Sequence, residues 1–438
     1  MRTPLSATML RALVLATAIA LSAAGPGRAE APLSGRVLDP DGHPAQKASV
    51  FIYTASVRTG TSPYCPSCYP DCRKRTTTDR DGHFSIPALS DSLLFRVLVV
   101  ARGWDPVFVA KVDPPAGPVE FRLVHRRLAK FDPDRTLRGR VVDPHGRPVV
   151  GATLEPFGFR KDMGSGHYMA RFGPSPGTDP LGVTDGRGEF ALALGDSGVR
   201  WYVRVSARDL APMQLHEQPA SARPITVRMG YGGMVTGRLL KDGKPLPGVR
   251  VGMVQVDRNA EFDAYGRDEI ATDERGTFTF SNVTPGMDYY VHGKMESLRD
   301  FGALDTVRVH VRGDDDVARV GDLALVPGRR VAGRVVLSGG HPVPPGTRLL
   351  LALDIAFDAQ TQTLDGEGHF DLRAVPPGDA MLVVRVKGYR LARASSGYTE
   401  AYGFPTCAVA GDRDVEGLNL VLEPAEPQPG PGGPTPKP

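Results

Sequence analysis

The residues with the most chemistry to offer are four cysteines. Cys65-Pro-Ser-Cys68-Tyr-Pro-Asp-Cys72 gathers three thiols in one short stretch, and the fourth is Cys407. Three chemistries fit these residue types. In an oxidising compartment disulfide bonding is the first reading, and Cys65 to Cys72 closes an easier local ring than Cys65 to Cys68. One thiol is then left over, either to pair with Cys407 or to stay reduced. A structural zinc site would use Cys65, Cys68 and Cys72, but it lacks a local fourth ligand. A redox Cys-x-x-Cys needs a helix N-terminus to lower one thiol pKa, and no helical pattern follows Cys68. Haem attachment fails because Tyr69, not His, follows Cys68. Prolines 63, 66 and 70 stiffen the stretch, so it is expected to present Tyr64 and Tyr69 on a rigid surface. That suits partner binding better than catalysis.

A second candidate is the polar-aromatic stretch Gly164 to Pro180, which holds His167, Tyr168, Arg171 and Phe172. It is long and has no counterpart elsewhere in the chain, as expected of a contact loop. Trp104 and Trp201 could stack on sugars. Core positions are the simpler reading, since Gly388-Tyr389 echoes Gly103-Trp104. Asp314-Asp-Asp316 reads as a solvated loop before it reads as a calcium site. Catalytic patterns do not emerge: there is no Gly-x-Ser-x-Gly, no His-Glu-x-x-His and no phosphate loop. The expectation is a non-enzyme with no cofactor and no metal centre outside the cysteine alternative.

The formal net charge is +4 over 438 residues. Arg2, Arg11 and Arg28 against Glu30 supply a net +2 of this within residues 1–31. The remaining field is too weak to argue for nucleic acid or an anionic membrane. Arg2 and Arg11 precede an apolar run from Ala12 to Ala24, and Ala29-Glu-Ala31 follows as a cleavage site. Residues 1–31 therefore read as a secretory signal peptide. With no later stretch apolar enough to span a bilayer, a secreted, periplasmic or cell-surface protein is expected, without a membrane span after cleavage.

The elements that must position these residues are announced by a phrase said four times. It runs Leu33-Ser-Gly-Arg-Val-Leu-Asp-Pro-Asp-Gly-His-Pro44, then Leu137 to Pro148, Val235 to Pro245 and, more loosely, Val331 to Pro342. Alternating apolar residues make a strand, and a Gly-x-Pro turn ends it. A second phrase follows each time: Thr78-Asp-Arg-Asp-Gly-His-Phe84, Thr184 to Phe190, Thr272 to Phe278 and Leu364 to Phe370. Asp79, Asp185, Asp273 and Asp365 should cap the turn with their side chains. Gly82, Gly188, Gly276 and Gly368 should supply a positive φ. Because these aspartates recur in every copy, they read as hairpin residues and not as a calcium site.

The spacing divides the chain into modules 32–130, 131–230, 231–328 and 329–424, with a Pro/Gly-rich disordered tail at 425–438. Short β-runs between Gly, Pro and Asp turns, with no long helical period, make the chain all-β. It should be four tandem antiparallel β-sandwich modules (Ig-like or prealbumin-like), each with about seven strands in two sheets.

Gly-Arg-Val-x-Asp-x-x-Gly-x-Pro followed by Thr-Asp-x-x-Gly-x-Phe resembles the carboxypeptidase regulatory-like, or transthyretin-like, β-sandwich domain. The resemblance covers residues 32–424 in four copies. The fourth departs from it, with Leu337 and Ser338 where the Asp belongs. What it implies is a fold whose members bind, space or stabilise; carbohydrate binding is implied by analogy with starch-binding relatives. The functional expectation is an exported scaffold or adhesion protein with a protein or glycan partner at the cell envelope. A carbohydrate-binding protein is the alternative, and a metal- or thiol-dependent role for the cysteine loop is the third.

Overall fold

The computed structural model describes residues 30–59, 69–72, 74–101, 103–125, 133–173, 175–221, 223–257, 268–353, 358–392, 399–401, 404–409 and 413–425. Residues 1–29 of the expected signal peptide, 426–438 of the expected tail, and Tyr64, Cys65 and Cys68 lie outside them. The described chain is almost wholly β, with one α-helical turn at Met295–Leu298 and two short 3-10 turns. It folds as four sandwiches in succession, each with its own buried core.

Each sandwich is built the same way. The first phrase forms an opening strand: Glu30–Leu38, Thr136–Val142, Gly233–Lys241 and Arg329–Leu337. The opening strand pairs antiparallel with the strand that follows the second phrase. On its other side it pairs in parallel with the closing strand, Val119–Arg122, Ile225–Arg228, Val317–Ala324 or Val415–Pro424. The sandwiches are thus not purely antiparallel, because the chain returns to its starting edge by crossing between the two sheets. The second sheet is antiparallel and centred on pairs such as Ser49–Val57 with Leu93–Val100 and Thr153–Gly164 with Arg200–Ser206.

The repeated glycine of the first phrase has a packing reason. A Cβ added at Gly35 or Gly139 would run into the carbonyl of Val119 or Ile225 on the parallel closing strand. In the second phrase the aspartate closes the turn. Asp79 Oδ1 accepts from the backbone N–H of Asp81 (2.9 Å) and His83 (2.8 Å). Asp185, Asp273 and Asp365 make the same two bonds. Gly82 sits at φ +76° in that turn. Phe84, Phe190, Phe278 and Phe370 all point into their cores, 1–6% exposed. Each contributes roughly 1.5–3 kcal/mol of apolar transfer.

The threonine that opens the second phrase also has a structural task that pattern reading missed. Buried Thr78 Oγ1 accepts from Ala48 N–H (2.8 Å) and donates to Ala45 C=O (2.6 Å), stapling the turn to the start of the second sheet. Thr184 and Thr272 repeat this. The fourth copy has Leu364 there and buries it.

Candidate functional site

The cysteine stretch is only partly described, and three of its described residues, Tyr69, Asp71 and Cys72, are buried. Tyr69 and Cys72 are 6% and 9% exposed and belong to the core of the first sandwich. Tyr69 is therefore not presented on a surface, as the prolines around it had suggested; its ring has more to gain in the core than in water. Between them Asp71, also buried, accepts from Lys74 Nζ (2.7 Å) and from Ser90 N–H (3.1 Å). Cys407 lies on Phe404–Val409 of the fourth sandwich, in register with Ala380. Trp201 is 1% exposed in the second core, and Trp104 is half-buried against the first with His125 beside it, ring centroids 4.9 Å apart.

Among the described residues, two groupings bring carboxylates and an imidazole within 4.8 Å of one another: Asp39, Asp41 and His43, and Asp79, Asp81 and His83. In both, the leading aspartate is already engaged in its own turn. Asp39 Oδ1 accepts from His43 N–H, and Asp39 Oδ2 lies 3.2 Å from His43 Nδ1. A shallow groove of about 580 Å³ on the fourth sandwich is lined by Arg334, His369, Phe370 and Asn419 among others. Most of its charge is also spent locally, with Arg330 tied to Asp371 and Glu416 and His369 to Asp365.

The stretch expected to be a contact loop is a strand. His167–Phe172 pairs antiparallel with the outer half of Thr153–Gly164, turning at Ser165 and Gly166, so the two form a hairpin that projects beyond the core. Its base is ordered by rings on the outer sheet face. A Cβ at Gly158 would lie 2.6 Å from the Phe172 ring, so glycine makes the seat for that ring. Phe172 stacks on buried Tyr202 at 5.7 Å, Phe157 lies beside both, and Arg204 covers Phe157 at 5.3 Å. Further out, the Arg160 guanidinium sits 3.9 Å from the Tyr168 ring centroid and bonds Glu217 at 2.6 Å. This fixes the aromatic side of the hairpin before any partner arrives.

Its tip is apolar and exposed. Among the described residues eight large apolar side chains are exposed, and four are on this hairpin: Met163 (61%), Tyr168 (50%), Met169 (43%) and Phe172 (37%). His167 and Arg171 are exposed on the same strand. The sequence signalled the stretch by its lack of a counterpart in the other copies. The contribution of Met163 and Met169 was not legible, because methionines between strands read equally well as core.

The sandwiches are tied to one another. Between the first and second, Leu98, Val100 and Leu181 are buried together, with Phe51, Tyr53, Phe108 and Val183 packed around them. Arg75 adds a 2.7 Å bond to Thr153 Oγ1. Between the second and third, Thr284 Oγ1 donates to the Pro212 carbonyl (2.7 Å) and the Arg147 guanidinium donates to the Tyr231 hydroxyl (3.1 Å). Asp314, within the third module, accepts from the N–H groups of Tyr231 (3.2 Å) and Gly232 (2.9 Å) and so fixes the start of that sandwich. Between the third and fourth, Lys294 Nζ lies 2.7 Å from Asp358 and 3.1 Å from Glu269, while Met295 enters the fourth core. Among the described residues no helix is long and apolar enough to cross a membrane.

No family model and no curated protein matches the chain. Among solved structures it is similar to the Bacillus anthracis TIE protein, at 9% identity over 87% of this chain and 69% of that one, with a TM-score of 0.19. A streptococcal ancillary pilin matches at 11% identity over 67% of this chain and 100% of that one, TM-score 0.21. The minor pilin GBS52 of Streptococcus agalactiae matches at 15% identity over 46% and 99%, TM-score 0.23. These are likenesses between β-rich chains, and the functional reading rests on this chain's own residues.

Proposed function

We propose that this chain is an exported, non-catalytic scaffold that holds a contact hairpin away from its point of attachment. In this reading residues 1–31 are a signal peptide and 425–438 a free tail. Modules 32–130, 131–230, 231–328 and 329–424 form a string in the periplasm, on the cell surface or outside the cell. The observation that carries it is the concentration of exposed apolar side chains on Thr153–Phe172. Stable soluble surfaces scatter such residues singly, whereas a cluster rimmed by charge marks an interaction site. The three tied joints support the spacer half of the reading, since each couples one sandwich to the next.

The test is attachment. Met163, Tyr168 and Met169 are changed together to serine, which leaves the Phe172 seat intact. The full chain is then applied to envelope material from its source. Loss of attachment with unchanged thermal unfolding is the expected result. Attachment equal to that of the parent chain would remove the hairpin from the proposal.

A further inference from the structure

The hairpin has a property beyond its apolar tip. Among the described residues, His167–Phe172 is the last strand of its sheet, with Thr153–Gly164 on one side and no strand on the other. A strand in that position exposes a row of backbone donors and acceptors able to pair with another extended chain. Proteins commonly guard such an edge with proline, a bulge or a covering loop, and this strand contains no proline.

Its charges are uneven. Arg160 is neutralised by Glu217, and Asp162, whose carboxylate accepts from Gly164 N–H in the turn, lies in register with Tyr168. Lys161 and Arg171 are exposed and have no ionic partner among the described residues. The register places Lys161 opposite Met169 and Arg171 opposite Phe159, so both cations share one face of the hairpin, and His167 alternates onto that face too. Tyr168 and Phe172 occupy the other face, over Arg160 and Tyr202.

Resting on the contact-hairpin reading, we infer that the open edge of His167–Phe172 takes an extended acidic peptide as an added strand. Backbone pairing along the edge would supply the binding. Carboxylates on alternate residues of the peptide would meet Lys161 and Arg171, and its other face would lie along Tyr168. A second copy of this chain fits less well, because it would bring the same unpaired cations to the shared edge.

The experiment measures fluorescence polarisation of short labelled peptides with the full chain. One peptide alternates valine and glutamate, one alternates valine and lysine, and one is the glutamate peptide with proline at alternate positions. The glutamate peptide should bind roughly tenfold more tightly than the lysine peptide, as expected from two exposed ion pairs, and should weaken as salt rises. The proline peptide should not bind. Lys161→Glu with Arg171→Glu should reverse the preference without altering thermal unfolding.

Equal affinity for all three peptides, or a preference that survives the charge reversal, overturns the inference. So does concentration-dependent dimerisation abolished by the reversal, which would assign the edge to a second copy, and so does a glycan that competes where peptides do not. If the serine variant loses attachment while the glutamate peptide fails to bind, the scaffold reading stands and the acidic strand alone is wrong.

Discussion

Lys294 Nζ lies 2.7 Å from Asp358 Oδ1, and the two residues belong to different sandwiches. Asp358 is 1% exposed, its other oxygen accepts from Met295 N–H at 2.8 Å, and Glu269 approaches the same amine at 3.1 Å. Burial alone would lower the amine's pKa. The charges of Asp358 and Glu269 outweigh it and hold the amine above its usual range.

Removing one member of this group should uncouple the third and fourth sandwiches. Lys294→Met leaves buried Asp358 without its cation, while Glu269 keeps only Arg250 at 3.7 Å, and should cost about 3–5 kcal/mol. Asp358→Asn should cost less, since Glu269 still compensates the amine. Calorimetry should show one shared transition in the parent chain separating into two in Lys294→Met. A single unshifted transition would mean the joint does not couple them.

His292 gives the third sandwich a pH dependence of definite sign. Burial, and secondarily the charge of Lys294, push its pKa down from 6.5 to about 3. The unfolded chain therefore takes up a proton as pH falls through 6.5, while the folded chain refuses it until about 3. The stability is full above about 6.5 and is lost progressively below it, by about 2 kcal/mol at pH 5. Unfolding of His292→Gln measured from pH 7 to 5 should show a flatter slope than the parent. Parallel slopes would show that another group carries the dependence.

Gly82→Val should damage the first sandwich. The position is at φ +76°, and a Cβ there would lie 2.6 Å from the carbonyl oxygen of Val37. A β-branched residue meets both the strain and the clash, at a cost of about 1–3 kcal/mol from the backbone alone. Urea unfolding followed by Trp104 fluorescence should shift to lower midpoint, and an unchanged midpoint would rule out this turn geometry in solution.

What the sequence made legible was local. The aspartate turns could be read because donor and acceptor lie two and four residues apart, as in Asp79 with Asp81 and His83. The opening strands could be read because their alternation is itself the burial pattern. The joints could not. Glu269, Lys294 and Asp358 are far apart in sequence, and nothing about a lone lysine before Met295 announces that two acids will converge on it. Tyr69 was misplaced for the same reason: prolines constrain a backbone but do not say which way a ring faces. The hairpin fell between these cases, since its uniqueness showed in the comparison of copies while its strand pairing did not.

The parallel pairing of opening and closing strands has a mechanical consequence. In every sandwich the chain enters at one end of this pair and leaves at the other, because both strands run the same way. Tension applied between the two ends of the chain therefore pulls the two strands lengthwise past each other. In the first and second sandwiches, where the register runs unbroken, the evenly spaced hydrogen bonds share the load together and do not open one after another.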